Sequence, residues 1–238
     1  VISYTFSTGC YATLPVTINA LPNPFVPTMS VCMGSTTTIL SGGGAGEWSS
    51  SATAVATIAS ISGDVTPVSA GVTTMCYTIS ATGCFRCESF TVNPAPSPIA
   101  GPNSVCEAAT ITYTSTPPGG TWTAVNPNAT VGAGSGIVTG VTAGVDTIRY
   151  TIGSGCMVQK VVTVQSSPVP ITGVMSICLG QSTVLSSGPG GFGDFWTTTA
   201  GTGSVTFSGS TTTTTVNATA ATGPGTATVT YTGSNGCT

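Results

Sequence analysis

The sequence predicts an all-β chain, laid out as tandem β-sandwiches of about 70 residues each. Three observations predict it. Strand-forming Thr, Val, Ile and Tyr dominate, while the helix formers Glu, Lys, Leu, Gln and Arg are scarce. Turn formers are dense, with 32 Gly and 16 Pro in 238 residues, which suits many short strands. And the chain repeats itself: "SVCMGSTTTILS", "SVCEAATITYTS" and "SICLGQSTVLSS" place cysteines at Cys32, Cys106 and Cys178, spaced by 74 and then 72 residues. Self-similarity at a fixed period marks an array of small units, not one large fold.

Each repeat passes the same landmarks in the same order. After the early cysteine comes a tryptophan, Trp48, Trp122 or Trp196, at a gap of 16, 16 or 18 residues. A Val-Ser/Thr-Ala-Gly turn follows in the first two repeats, at residues 68–71 and 141–144. A Tyr-Thr strand then starts at Tyr77, Tyr150 or Tyr231 and runs into Gly-Cys at Cys84, Cys156 or Cys237. The same phrase stands at the start of the chain, from Tyr4 to Cys10. A valine-rich strand and a proline-rich linker follow the late cysteine, and because proline cannot donate to a ladder, the linkers are expected between sandwiches. The landmarks divide the chain into residues 1–27 (the last two strands of a preceding unit plus a linker), 28–98, 99–169 and 170–238, the last without its final strand. The third repeat is longer toward its end, with "GSTTTTTVNATAATGPG" read as an insertion.

Within the second repeat, strands are expected at residues 109–115, 120–125, 129–131, 136–141, 145–152 and 157–165. In the fifth, Ile148, Tyr150 and Ile152 alternate with Arg149 and Thr151, the period of a strand with one buried face. A unit this small has a thin core. Trp48, Trp122 and Trp196, with Tyr77, Tyr150 and Tyr231, are its expected centres, since an aromatic ring buries more apolar surface than any other side chain.

Composition excludes several classes of function. Nine side chains are charged, the net charge is −3 and there is no histidine. Three cations cannot neutralise a run of phosphates, so no nucleic-acid partner is expected. No stretch approaches 18 apolar residues, so no membrane insertion is expected. The six acids are scattered singly and no histidine can serve as a general base, so no enzyme activity, metal site or cofactor is expected. The one Cys-x-x-Cys, Cys84 to Cys87, has no second pair to complete a zinc site. Apolar residues at 40% with so little net charge also argue against disorder. Val1 opens inside a strand pattern, which reads as a fragment or a mature product.

The stretch from Val31 to Cys84 resembles the bacterial Ig-like group 2 repeats of large surface and secreted proteins of Bacteroidota. The matching features are Val-Cys-x-Gly at Val31, "WSSSATAVATI" at Trp48, the "VSAG" turn at Val68, "YTI" at Tyr77 and the Gly-Cys that closes the strand. The resemblance covers the whole chain, best over residues 28–95 and weakest over 196–226. It implies an immunoglobulin-like sandwich, secretion, and a role as a tandem spacer, stalk or adhesin. It carries no catalytic residues.

Nine cysteines argue for an oxidising compartment. Cys76 and Cys87 lie symmetrically about the turn near Ala81 and should bond across their hairpin. The early and late cysteines allow two schemes. Each unit can close on itself, through Cys32–Cys84, Cys106–Cys156 and Cys178–Cys237, leaving Cys10 unpaired. Alternatively, the early cysteine of one unit can bond the late cysteine of the next, through Cys32–Cys156 and Cys106–Cys237. The first scheme is favoured, because an early cysteine that precedes a short first strand would stay near the late one.

Asn128-Ala-Thr and Asn217-Ala-Thr fit the N-glycosylation sequon, and Asp146-Thr147-Ile148 looks like the Asp-Thr-apolar O-glycan acceptor of Bacteroidota. The expected function is a non-enzymatic structural segment of an extracellular filament, stalk or surface fibre, partnered by itself or by neighbouring repeats. A variant has subunits joined by donated strands: residues 1–21 supply an orphan hairpin, and the third unit wants a final strand. The alternative function is a cell-surface adhesin binding glycan or a protein through the third unit, where "GFGDFW" at Gly191 and Phe207 depart from the other repeats.

Overall fold

A computed structural model describes residues 1–27, 29–188, 194–208, 212 and 214–238. Among these there is no helix. The chain forms two compact units: Val1–Ala95 with Ser154–Cys156, and Pro96–Gly153 with Met157–Thr238.

The first unit begins with an exposed hairpin, β1 (Ile2–Thr5) and β2 (Tyr11–Leu14). A sandwich of seven strands follows: β3 (Ser30–Cys32), β4 (Thr37–Thr38), β5 (Gly46–Ser50), β6 (Ala56–Ile58), β7 (Asp64–Pro67), β8 (Gly71–Ile79) and β9 (Phe85–Asn93). One sheet runs β3-β9-β8-β5 and the other β4-β7-β6. All pairs are antiparallel except β3 with β9, which is parallel. This is the immunoglobulin-like arrangement: a first strand beside the last, the long hairpin beside the tryptophan strand, and three strands opposite.

The second unit repeats it. β10 (Ser104–Cys106), β11 (Thr110–Thr112), β12 (Thr121–Ala124), β13 (Ala129–Val131), β14 (Ile137–Gly140), β15 (Gly144–Thr151) and β16 (Met157–Gln165) form sheets β10-β16-β15-β12 and β11-β14-β13. The six strands expected here from pattern are all present, within three residues at each end. The parallel strand β10 was not expected, because three residues show no period. The third sandwich has β17 (Ser182–Ser186), β18 (Phe195–Ala200), β19 (Ser204–Ser208), β20 (Thr215–Thr222) and β21 (Ala227–Thr232), in sheets β17-β20-β19 and β18-β21. Eight residues of the stretch read as an insertion form strand β20, the counterpart of β7 and β14. The added length lies in the β19–β20 hairpin, whose strands have 5 and 8 residues against 3 and 4 in β13 and β14.

Tryptophan and tyrosine face each other across the same two strands in every sandwich. Trp48 pairs with Tyr77, Trp122 with Tyr150 and Trp196 with Tyr231, with ring centroids 4.9, 4.5 and 4.9 Å apart. All six are buried. Such pairs contribute about 0.5–1.5 kcal/mol beyond their area. Each tyrosine hydroxyl also ties down the loop before the tryptophan strand. Tyr77 donates to Gly44 O and Tyr150 to Pro117 O, while Tyr231 donates to a carboxylate, Asp194 Oδ2.

The proline-rich segments are more than linkers, which corrects the sequence reading. Val26, Ala100 and Thr172 each form an antiparallel bridge to Leu40, Thr114 and Ser186. Phe25 and Ile99 are buried in the cores they precede. Proline confines the bridging to single residues, because Pro24, Pro98, Pro102 and Pro170 stand two residues from a bridge, where the next ladder bond would need an N–H. The few charged side chains hold these segments down: Arg86 Nε donates to Pro22 O, Phe25 N to Glu88 Oε1, and Lys160 Nζ to Gly101 O. Glu107 accepts from Ala143 N and Ser167 N.

Candidate functional site

The sites of interest are the paired cysteines and the sheet edge beside Cys178. Cys32 and Cys106 end the parallel strands β3 and β10, each half-buried, and each first strand is held by the last: Cys32 lies opposite Asn93, and Cys106 opposite Gln165. Cys84 and Cys156 stand in the turn of the long hairpin and Cys237 at the matching point after β21, and Cys156 and Cys237 are almost wholly buried.

The disulfides are Cys32–Cys156, Cys76–Cys87 and Cys106–Cys237. Closure of each repeat on itself, through Cys32–Cys84, Cys106–Cys156 and Cys178–Cys237, is therefore not the pairing of this structure. The physical reason is the register of the first strand. Running parallel to the last, β3 carries Cys32 toward Asn93, at the far end of β9 from the hairpin turn that holds Cys84. The early and late cysteines of one sandwich thus lie at opposite ends of a nine-residue strand, which spans about 30 Å, far beyond the reach of a disulfide. Cys76 and Cys87 are register partners on β8 and β9.

Cys10, Cys84 and Cys178 carry free thiols; Cys10 and Cys178 are exposed and Cys84 is half-buried. Two of these, Cys84 and Cys178, were expected in disulfides. By position in the repeat, Cys178 matches Cys32 and Cys106, and Cys84 matches Cys156 and Cys237.

Beside Cys178 the third sandwich is open. Among the described residues β21 has one hydrogen-bonded neighbour, β18, where β8 and β15 each have two. Ser176, Ile177 and Cys178, the counterparts of β3 and β10, are not in a strand. Among the described residues its buried core has five, against eleven and ten in the other two. A groove of ≈350 Å³ opens between the sheets, with Ile171, Ile177, Leu185, Val205, Ala218 and Val229 in its walls. Val174 and Met175 on its rim are exposed.

Solved structures similar to this chain include fragments of an intimin, a cadherin and a surface-layer protein. The intimin match is a C-terminal 282-residue fragment in complex with the intimin-binding domain of the translocated intimin receptor (14% identity over 57% of this chain and 56% of that one, TM-score 0.33). Drosophila N-cadherin EC1-3 matches with 12% identity over 63% of this chain and 68% of that one, TM-score 0.27. The surface-layer protein rSbsC(31-844) matches with 15% identity over 94% of this chain and 41% of that one, TM-score 0.27. No protein-family profile and no curated protein matches the chain. At these scores the likenesses carry no argument, and the immunoglobulin-like assignment rests on the strand order given above.

Other residues singled out in the sequence fall as follows. Asn128 Nδ2 donates to Thr142 O and Ala143 O, so its amide is already engaged. Asn217 is exposed on β20, and Thr147 is half-buried on β15. Asp146 is fully buried, and its carboxylate accepts from the backbone N–H groups of Asn126, Ala129 and Thr147. Its counterpart in the first sandwich is Thr73, whose Oγ1 accepts from Ala52 N. A lone aspartate in a strand gave no signal of this role. Gly191 to Gly193 of "GFGDFW", and Thr211 and Thr213 of the threonine run, lie outside the described residues. Among the described residues no three His, Cys, Asp or Glu side chains cluster as metal ligands, and no helix is long and apolar enough to cross a membrane.

Burial first, then the hydrogen bond and charge of Asp194, push the Tyr231 phenol up to about 12.

Proposed function

We propose that the chain is a non-enzymatic structural segment of an extracellular filament, stalk or surface fibre, made of disulfide-stapled immunoglobulin-like repeats bounded near residues 28–98, 99–169 and 170–238. We assign the repeats to the bacterial group 2 type of Bacteroidota-like surface proteins. One observation carries the reading: twice, the early cysteine of a repeat is bonded to the late cysteine of the repeat after it. Each bond closes a loop of well over a hundred residues, with separations of 124 and 131. A chain under tension therefore cannot pay out that length while the bond holds. Bonds of this kind persist outside the reducing cytosol. The scarcity of charge suits a crowded coat or fibre better than a free monomer.

Immunogold electron microscopy of native cells, using antibody against this chain, tests the reading. Label along beaded threads or stalks at the cell surface is expected. Label on compact particles, or inside the cell, overturns it.

The adhesin reading keeps one specific observation in its favour, the exposed Val174, Met175, Leu179 and Val184 of the third sandwich. Reproducible glycan-array binding that is lost when residues 170–238 are removed would place it first.

A further inference from the structure

We infer that the outer faces of the two four-stranded sheets are an interaction surface for a second copy of this chain, the first sandwich of one copy seated on the second sandwich of the next, with Glu47 opposite Arg149. The inference names a partner for the structural segment proposed above and rests on that reading.

Strand alternation defines the two faces. Thr73, Met75, Tyr77 and Ile79 of β8 are buried, so Val72, Thr74, Cys76 and Thr78 stand on the other side of the sheet. On β15, Asp146, Ile148 and Tyr150 are buried, and Val145, Thr147, Arg149 and Thr151 stand opposite. Cross-strand register sets Glu47 and Phe85 beside Thr78, and Thr123 and Gln159 beside Arg149. Large apolar side chains recur at matching places: Val72 and Val145 after the turn glycine, Phe85 and Met157 after the late cysteine. These four, and Val161 opposite Thr147, are each more than half exposed. Most of the remaining positions are Ser or Thr, whose small side chains let two sheets approach to the about 10 Å of ordinary face-to-face packing.

Charge selects the occupant. All of the charged side chains but Glu47 and Arg149 are engaged within the chain. Arg86 and Lys160 donate to the carbonyls of Pro22 and Gly101, and Glu88 and Glu107 accept from Phe25 N and Ala143 N. Asp64 accepts from the Thr38 and Ser62 hydroxyls, Asp146 from backbone N–H groups and Asp194 from the Tyr231 hydroxyl. Among the described residues Glu47 has no hydrogen bond or ion pair, and Arg149 reaches only Gln159 Oε1, from Nε at 3.5 Å. These two opposite charges stand on matching faces of successive sandwiches. Two like faces would put like charges in one interface, while unlike faces bring Glu47 to Arg149. Pairing of unlike faces leaves one face unused on each copy, so the contact is heterologous and repeats from copy to copy.

The contact is small. The nine-residue strands β8 and β9 are about 30 Å long, and with their neighbours they make a face of roughly 500 Å². Two such faces bury about 1,000 Å², below the ~1,200–2,000 Å² of a stable specific interface. Single copies should therefore associate weakly. Repeats joined in one fibre should associate far more strongly, because each further contact forms within an assembly already made.

The test uses the purified 238-residue chain, its free thiols capped with iodoacetamide, in analytical ultracentrifugation across a range of protein and salt concentrations. Oligomers that grow with protein concentration and weaken as salt rises are expected. Glu47→Arg or Arg149→Glu alone should weaken association about tenfold or more, with the sandwiches still folded because both side chains lie on the outer faces. The double exchange, Glu47→Arg with Arg149→Glu, should restore association, and so should an equal mixture of the two single variants. Phe85→Ser, an uncharged change on the same face, should weaken it at every salt concentration. A monomer at all concentrations overturns the inference. So do oligomers indifferent to both single reversals, and so does a failure of the double exchange and the mixture to restore what the single reversals remove. None of these outcomes bears on the fibre reading, which immunogold labelling decides separately.

Discussion

Cys32 is bonded to Cys156, 124 residues along the chain, while Cys84, in its own repeat, is unbonded. The same step recurs from Cys106 to Cys237. These two disulfides therefore act between successive repeats, while Cys76–Cys87 bonds within one.

Non-reducing digestion should yield Cys32–Cys156, Cys76–Cys87 and Cys106–Cys237 peptides and none joining Cys32 to Cys84. Replacing Cys32 and Cys156 together by serine should cost about 3–5 kcal/mol in chemical denaturation, the range for a loop of this length. Cys84→Ser in the monomer should be nearly neutral. A large loss for Cys84→Ser would contradict the pairing.

The aromatic pair is the next point of leverage. Trp122→Ala should cost about 3–5 kcal/mol, from lost burial and the cavity left behind. Tyr150→Phe keeps the ring but removes the hydroxyl that donates to Pro117 O and accepts from Gly120 N. About 1–2 kcal/mol is expected. Calorimetry of both variants checks the order.

Asp146→Ala should be among the most damaging changes of a charged residue, about 3 kcal/mol, because three backbone N–H groups, that of Ala129 buried, lose their acceptor. Exposed Glu47→Ala, on the same kind of strand, should be neutral within about 0.5 kcal/mol. Equal effects would show that Asp146 carries no structural weight.

Alkaline pH should loosen the third sandwich. The folded Tyr231 phenol holds its proton up to about 12, above its ordinary value of 10.0. Between those values the unfolded chain has released a proton that the folded chain retains. Stability is thus full below about pH 10 and falls as pH rises toward 12. Tyr231→Phe should flatten this leg. Near-ultraviolet circular dichroism against pH, in both forms, measures it.

Gly136 makes a sharper probe of packing than its composition class suggests. It has φ of +68°, and a Cβ there would stand 2.5 Å from Tyr113 O and 3.1 Å from the Trp122 ring. Gly155 has φ of +83° with nothing within 4 Å. Gly136→Ala should therefore cost clearly more than the roughly 1 kcal/mol of Gly155→Ala. Thermal melts of the two variants compare them.

What the sequence determined by itself was local or periodic. Repeat spacing, strand positions in the second sandwich, the Trp–Tyr core and the Cys76–Cys87 hairpin all depend on residues close in sequence or on a pattern of two. Strand alternation and turn chemistry dictate those without knowledge of the fold. The tertiary structure decided what identical local sequences leave open. The early cysteine has the same neighbours whichever late cysteine it meets, and only the parallel seating of β3 against β9 carries it away from its own hairpin. Burial of Asp146, and the bridging of Val26, Ala100 and Thr172 to their sandwiches, likewise rest on partners distant along the chain. No short stretch could announce them, because the groups that satisfy them are assembled only when the sheets pack.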